Sequence, residues 1–241
     1  MRERLPLIAG FALLGLAIGL GSVVLAGGIR DRNRNETVSV TGSAKARIVS
    51  DYVIWNASIT SQAETPQAAL RQLSAWASRA RSFLTAQGAT PDELSVNPVS
   101  TETVTQNAEG QDTGRVLAYR LTRSFEVRSS RVSAVTALVE ASQALLAQGV
   151  PLQAQPPQYV YTKLADLRPR LLAEATKDAL ARAKVLVEAT GGHLGGLRDV
   201  NVGVFQVTAP NSTEVSDYGV YDTSTRRKDV TAVVNVSFAL K

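Results

Sequence analysis

The sequence predicts an α+β fold behind an N-terminal transmembrane helix. Three observations carry that expectation: runs in which apolar and polar residues alternate, segments of helical apolar spacing set between them, and an uncharged stretch from Leu5 to Ile29. The expected order after that stretch is β-β-α-β-β-α-β-α-β-β. Strands separate the helices and hairpins are frequent, so antiparallel or mixed sheets with helices packed on one face are predicted.

Leu5 to Ile29 is 25 residues long, and a helix needs about 20 apolar residues to cross a bilayer. Arg2 and Arg4 precede it; Arg30, Arg32 and Arg34 follow. Its length exceeds that of a usual signal h-region, which favours a retained anchor. Val24-Leu25-Ala26 offers the small residues a signal peptidase accepts, so cleavage after Ala26 is the open alternative. A short basic N-terminus is expected in the cytoplasm, with the rest of the chain outside. Residues 1–29 therefore read as a membrane anchor or signal segment, 30–36 as a tether and 37–241 as one α+β domain. The expected place is the cell envelope, periplasmic if the apolar run is removed. Gly15, Gly19, Ser22 and Ala26 form a stripe of small residues on which two membrane helices can pack.

Val38, Val40, Ala44, Ala46 and Ile48 alternate with polar residues, and so do Val53, Trp55, Ala57 and Ile59. Period two with β-branched residues predicts strands with one buried face. Gly42 is expected to mark a bulge. Thr65-Pro66 opens a helix as cap and first residue. Leu70, Leu73, Trp76 or Ala77, Ala80 and Leu84 form its apolar face, and Gly88 ends it. A hairpin follows, with one arm from Leu94 to Thr105, bent at Pro98, a loop at Asn107–Gly114 and a second arm through Val127. Ser130 is the expected cap of a second helix, whose face holds Val132, Val135, Val139 and Leu146. Ala86-Gln87-Gly88 and Ala147-Gln148-Gly149 match at the ends of these helices, a hint of an internal repeat.

Tyr159 and Tyr161 are expected on one face of a strand at Gln158–Thr162. The longest helix is predicted over 165–190, with Leu172, Ala175, Ala179, Ala183, Leu186 and Thr190 inward. Its surface pairs are Asp178 with Arg182 and Lys184 with Glu188. Val200–Val207 reads as a strand, and Val230 to Leu240 alternates most regularly of all. Between these two lies a polar loop, Thr208–Asp229, too long to be structureless without a reason.

Chemistry is harder to find. The chain has 26 basic and 21 acidic residues, one histidine and no cysteine. The positive excess is spread out, without the dense basic stripe a nucleic-acid binder needs, so no nucleic-acid partner is expected. Lack of cysteine removes thiol catalysis, disulfides and thiolate metal sites. Gly191-Gly192-His193-Leu194-Gly195-Gly196 follows a helix rather than opening one, the reverse of a phosphate loop. His193 has neither a second histidine nor a cysteine to complete a site, and Asp92-Glu93 are sequence neighbours whose side chains diverge. No cofactor, metal or catalytic residue is expected, and the chain is expected not to be an enzyme.

Val38-Ser39-Val40-Thr41-Gly42-Ser43-Ala44 after an apolar run resembles the opening strand of the SIMPL-domain family. Ala175, Asp178-Ala179, Arg182-Ala183-Lys184 and the Gly191-Gly192…Leu194-Gly195 exit resemble its most recognisable segment, and Val230–Leu240 fits its last strand. The family includes periplasmic immunogenic proteins and YggE-like proteins tied to oxidative stress. The resemblance implies an exported α+β envelope protein, with ring-like oligomers among its members and no established activity or cofactor.

Three functions follow as expectations. The first is a non-enzymatic, membrane-tethered homo-oligomer, in the form of a ring for example, linked to oxidative or envelope stress. The second is a module that binds an envelope ligand of unknown identity through loop 208–229, with Tyr218, Tyr221, Arg226 and Arg227 as contacts. The third and least supported is a hydrolase that uses His193.

Overall fold

A computed structural model describes residues 36–108 and 111–241. The membrane segment, its Gly15/Gly19/Ser22/Ala26 stripe and residues 30–35 of the tether lie outside the described residues. The described chain runs β1 (Thr37–Val49), β2 (Tyr52–Ala63), α1 (Pro66–Ala86), β3 (Leu94–Val96), β4 (Ser100–Ala108), β5 (Gln111–Ser129), α2 (Val132–Ala141), α3 (Ala144–Ala147), β6 (Leu152–Ala154), β7 (Gln158–Val160), α4 (Leu164–Ala189), β8 (Leu194–Val202), β9 (Gln206–Thr208) and β10 (Arg227–Leu240). It is an α+β fold whose named strand pairs run antiparallel.

Two compact units divide these elements. The larger comprises Ala46–Leu167 and Gln206–Val230. Its sheet has the order β3-β5-β2-β6, with β4 also on β5 and β7 also on β2. Odd positions of β2 (Val53, Trp55, Ala57, Ile59) and of β5 (Leu121, Phe125, Val127) point into one core. Their register, Trp55 opposite Val127 and Ala57 opposite Phe125, puts both sets on the same face. Helices α1 and α2 pack on that face, as the alternation predicts. Trp55 donates its indole N–H to the Gln155 carbonyl at 3.0 Å, which satisfies the one polar atom it buries.

Thr65 caps α1 as expected, its hydroxyl accepting from the Ala68 amide at 3.3 Å. The inward face is Ala69, Leu73, Ala77, Ala80 and Leu84. Leu70 is exposed instead, because Ala69 takes its turn of the helix. Trp76 is half-buried against the core. The expected single second helix is broken at Ser142-Gln143 into α2 and α3. Val132, Val135, Leu138 and Leu145 are buried, and Leu146 is exposed. Ser130 does not cap α2: Arg131 holds the cap position and no side chain bonds to the first turn.

The hairpin departs from expectation in both directions. The first arm splits around Pro98 into β3 and β4, since proline cannot donate to the ladder. The expected loop is largely strand, with Asn107 opposite Asp112 and Ala108 opposite Gln111. Tyr159 lies in β7 and packs on the core, while Tyr161 falls beyond the strand's end.

The smaller unit comprises the described residues up to Lys45, Arg168–Phe205 and Thr231–Lys241. Its strands run in the order β1-β10-β8. Leu171, Ala175, Ala179, Ala183 and Val187 of α4 are its buried seam. Leu172 and Leu186 were expected there, one position off; Leu186 is exposed. Of the two expected surface pairs the structure forms Asp178 with Arg182 at 2.9 Å, and Arg170 with Glu174 adds a looser one at 3.8 Å. Gly42, expected as a bulge, is a point of close approach. A Cβ there would fall on the backbone of Ala175 and Ala179 in α4. The Ser43 amide, next in the chain, donates to the Asp178 carboxylate at 2.8 Å.

The strand expected at Val200–Val207 begins earlier and ends sooner. Leu194 already pairs with Leu240, and the ladder stops at Val202. Glycines hid its start: a Cβ on Gly195 would meet the Ala239 carbonyl oxygen at 2.8 Å, so a poor strand former is required there.

Candidate functional site

The long loop of the sequence is not structureless. It is anchored at its base by polar side chains that alternation alone would not place inside. Strand β9 is wholly buried. The Gln206 amide donates to the Ser216 carbonyl at 2.6 Å and accepts from the Val220 amide at 2.8 Å. Val207 exchanges backbone bonds with Val220 and Asp222, both at 2.8 Å. Residues 209–219 therefore leave and return at one point.

Asp222 and Lys228 clamp the second half. Lys228 is fully buried and its ammonium donates to Asp222 at 3.1 Å and to the Thr225 carbonyl at 2.5 Å. Asp222 also accepts from Ser224 and Thr225. Burial pushes its carboxyl up, but these hydrogen bonds and Lys228 together hold it well below the usual carboxylate range. Asp229 is buried and accepts from Arg47 Nε at 2.9 Å and Nη2 at 3.2 Å, as well as from the Asn211 amide at 3.2 Å. The periodicity of β10 held the signal for Lys228. It shares parity with the buried Val230, Ala232, Val234 and Val236.

The predicted contact residues divide. Tyr218 is 98% exposed at the loop's outer turn. Tyr221 is a fastening, not a free contact: its hydroxyl accepts from the Tyr161 amide and donates to the Tyr161 carbonyl, both at 3.2 Å. Arg226 and Arg227 are exposed, and Arg227 opens β10 rather than belonging to the loop. Arg226 lines a depression beside the first turn of α2 that the other three do not line.

His193 is exposed in the turn after α4, where its backbone pairs with that of Lys241 in both directions. Among the described residues no three acids or histidines gather as a metal site. Glu93 is engaged throughout. It accepts from Arg131, from Ser129 Oγ at 2.5 Å, and from Thr90 N and Oγ1 at 3.2 and 2.9 Å. Arg131 foremost, with the hydroxyl and amide donors, holds its carboxyl down at about 2.

Edge strand β8 is the other exposed feature. Among the described residues β10 is its single strand neighbour. Leu197, Val200 and Val202 lie opposite Phe238, Val236 and Val234, all buried, yet are themselves 59%, 42% and 49% exposed.

Residues 38–238 match the model of a family described as SIMPL, protein of unknown function (DUF541). The chain belongs to the SIMPL family. No curated protein matches this SIMPL chain. Solved structures resemble it distantly. An amidase of the hydantoinase/carbamoylase family from Burkholderia phymatum is 14% identical over 55% of this chain and 33% of its own, with a TM-score of 0.29. A hydantoinase/carbamoylase family amidase from Burkholderia ambifaria is 17% identical over 55% and 35%, with a TM-score of 0.24. The SIMPL chain thus spans about a third of the length of these structures.

Proposed function

We propose that this SIMPL protein is a non-enzymatic envelope protein, tethered to the membrane outside the cytoplasm, that assembles with copies of itself. The observation that carries the reading is β8. It is a nine-residue edge whose outer backbone groups have no strand partner among the described residues. Soluble proteins guard such edges with lysine, proline or a covering element. β8 carries the charges of Arg198 and Asp199, yet beside them Leu197, Val200 and Val202 stand exposed, which suits pairing with another chain. The uncharged Leu5–Ile29 run supports the tether. The resemblance to exported, ring-forming members supports the setting and a link to envelope or oxidative stress. With no cysteine and one methionine, Met1, any such link is indirect, since no thiol or methionine-rich sink is available.

The test is absolute mass by light scattering for residues 37–241 and for the full chain in detergent. A discrete oligomer of both supports assembly through the folded part. A monomeric fragment beside an oligomeric full chain moves the contact to the Gly15/Gly19 face. Monomers of both remove the reading.

A second reading is favoured by Tyr218, which is held outward by a well-anchored loop base. In that reading 208–229 binds an envelope ligand or partner. Tyr218→Ala then abolishes capture of that partner from solubilised envelope and leaves the mass unchanged; unchanged capture removes the reading.

A further inference from the structure

The backbone of β8 is specific about what can pair with it. In an antiparallel ladder successive residues bond alternately to one side and the other. Two contacts fix the side that each residue of β8 uses. Gly203, just past the strand, donates to the Val233 carbonyl at 2.9 Å. His193, just before it, exchanges backbone bonds with Lys241 at 3.3 and 2.9 Å. The odd positions of β10 therefore serve β8, so Asp199 and Asn201, opposite Ser237 and Asn235, turn their backbone groups inward to β10. Leu197, Val200 and Val202, opposite Phe238, Val236 and Val234, turn theirs to the free edge.

The side chains divide in the same way. Leu197, Val200 and Val202 lie on the sheet face that carries the buried Phe238, Val236 and Val234. Helix α4 does not cover them, because it lies against Gly42 of β1, two strands away and so about 10 Å off. Asp199 and Asn201 lie on the other face, exposed, in a polar row with Ser237 and Asn235. Ser39 and Thr41 of β1 extend that row by bonding to Ser237 and Asn235.

We propose that β8 pairs antiparallel with β8 of a second copy, about a two-fold axis at Asn201. This rests on the reading of β8 as the assembly contact and adds the partner strand, its direction and its register. Opposed residues in a ladder share a face, so a two-fold axis between equal strands sets one residue opposite itself. An axis at Asp199 opposes like charges, which is unfavourable. An axis at Val200 matches Val202 with Arg198, where the register of β8 is irregular. An axis at Asn201 sets Val200 against Val202 and Val202 against Val200. Both outward-facing residues then exchange both of their backbone bonds, with β-branched side chains side by side. Asp199 faces Gly203 of the second copy instead of another acid. A contact of this kind is self-complementary and closes as a pair. The sheet's other end, β1, suits this role less, since it carries the exposed Lys45, a usual guard of free edges.

The chain has no cysteine, so a single introduced one reports the pairing. The test is oxidation of Asn201→Cys and of Asp199→Cys in the full chain in detergent, read on a non-reducing gel beside the absolute mass of the reduced proteins. Asn201 meets its own copy as a pair without mutual backbone bonds, about 4.5 Å between Cα atoms, within the span of a disulfide. Asn201→Cys is therefore expected to become a covalent dimer that a reductant returns to single chains. Asp199 lies about 13 Å from its own copy along the strands and is expected not to link, although it is exposed on the same face. If Asn201→Cys misfolds, co-oxidised Val200→Cys and Val202→Cys chains are expected to link to each other. Equal linking of Asn201→Cys and Asp199→Cys overturns the register. An oligomeric mass with a folded Asn201→Cys that does not link overturns the pairing and leaves self-assembly standing. A monomeric mass removes both.

Discussion

The two compact units solve the packing of helix on sheet differently. In the larger one Trp55, Phe125, Ile59, Leu73 and Leu84 fill a thick core between α1, α2 and strands β2 and β5. In the smaller one α4 meets its sheet through Ala175, Ala179 and Ala183, with Gly42 at the contact. The first arrangement draws its stability from buried volume. The second draws it from close approach and leaves the last strand, β8, almost entirely exposed. A bulky core closes around itself, whereas an alanine seam covers only what lies directly beneath it. The alanine seam therefore leaves uncovered the one strand on which the proposed assembly rests.

Phe125→Ala tests the thick core and has the largest expected effect. It removes a fully buried ring and should cost about 4 kcal/mol in urea unfolding. Gly42→Ala tests the seam. Its added methyl meets backbone rather than a yielding side chain, so a loss of about 2 kcal/mol is expected. A loss of less than about 0.5 kcal/mol, within the usual range for a surface change, would show that α4 is not held close. These losses, if they appear as separate unfolding transitions, also sharpen the division into two units.

Acid acts on the larger unit through Glu93. Its carboxyl is lowered from 4.5 to about 2 by Arg131 and its other donors. A lowered carboxyl stabilises the fold above its ordinary value and loses that contribution as pH falls toward the folded value. Stability should therefore drop between about pH 4.5 and pH 2. Glu93→Gln should be less stable at neutral pH and flatten that limb of the urea midpoint against pH.

Much of this fold was legible in the residues. Alternation in β2, β5 and β10 marked their inward faces, and Thr65-Pro66 and Gly88 marked both ends of α1. The misses have physical causes. Helical faces slipped by one position where alanine competes with leucine for the inward side, as at Ala69 and Leu70. The start of β8 was hidden by glycines needed for close approach to Ala239. The hairpin beyond Thr105 reads as loop because its strands are polar on both faces, and an exposed ladder has no buried side to pattern. At the candidate site, Tyr218 is exposed, whereas the bond of Tyr221 to the Tyr161 backbone is long-range and has no local signal in the sequence. Lys228 was missed because charge is read as surface, although its parity with Val230 pointed inward. The uncapped start of α2 was missed because a serine preceded it, and composition cannot show that Ser130 does not bond to the turn.

The smallest expected effect on stability belongs to the most informative change. Val200→Lys places a charge on the exposed side of β8, where natural edges carry such guards, and should alter unfolding by less than about 0.5 kcal/mol. The absolute mass of this variant, measured beside wild type by light scattering, tests the account most directly. An oligomeric wild type and a Val200→Lys variant reduced to protomers with its fold intact are expected. An unchanged oligomer in the variant, or a wild type that is already monomeric, would contradict it.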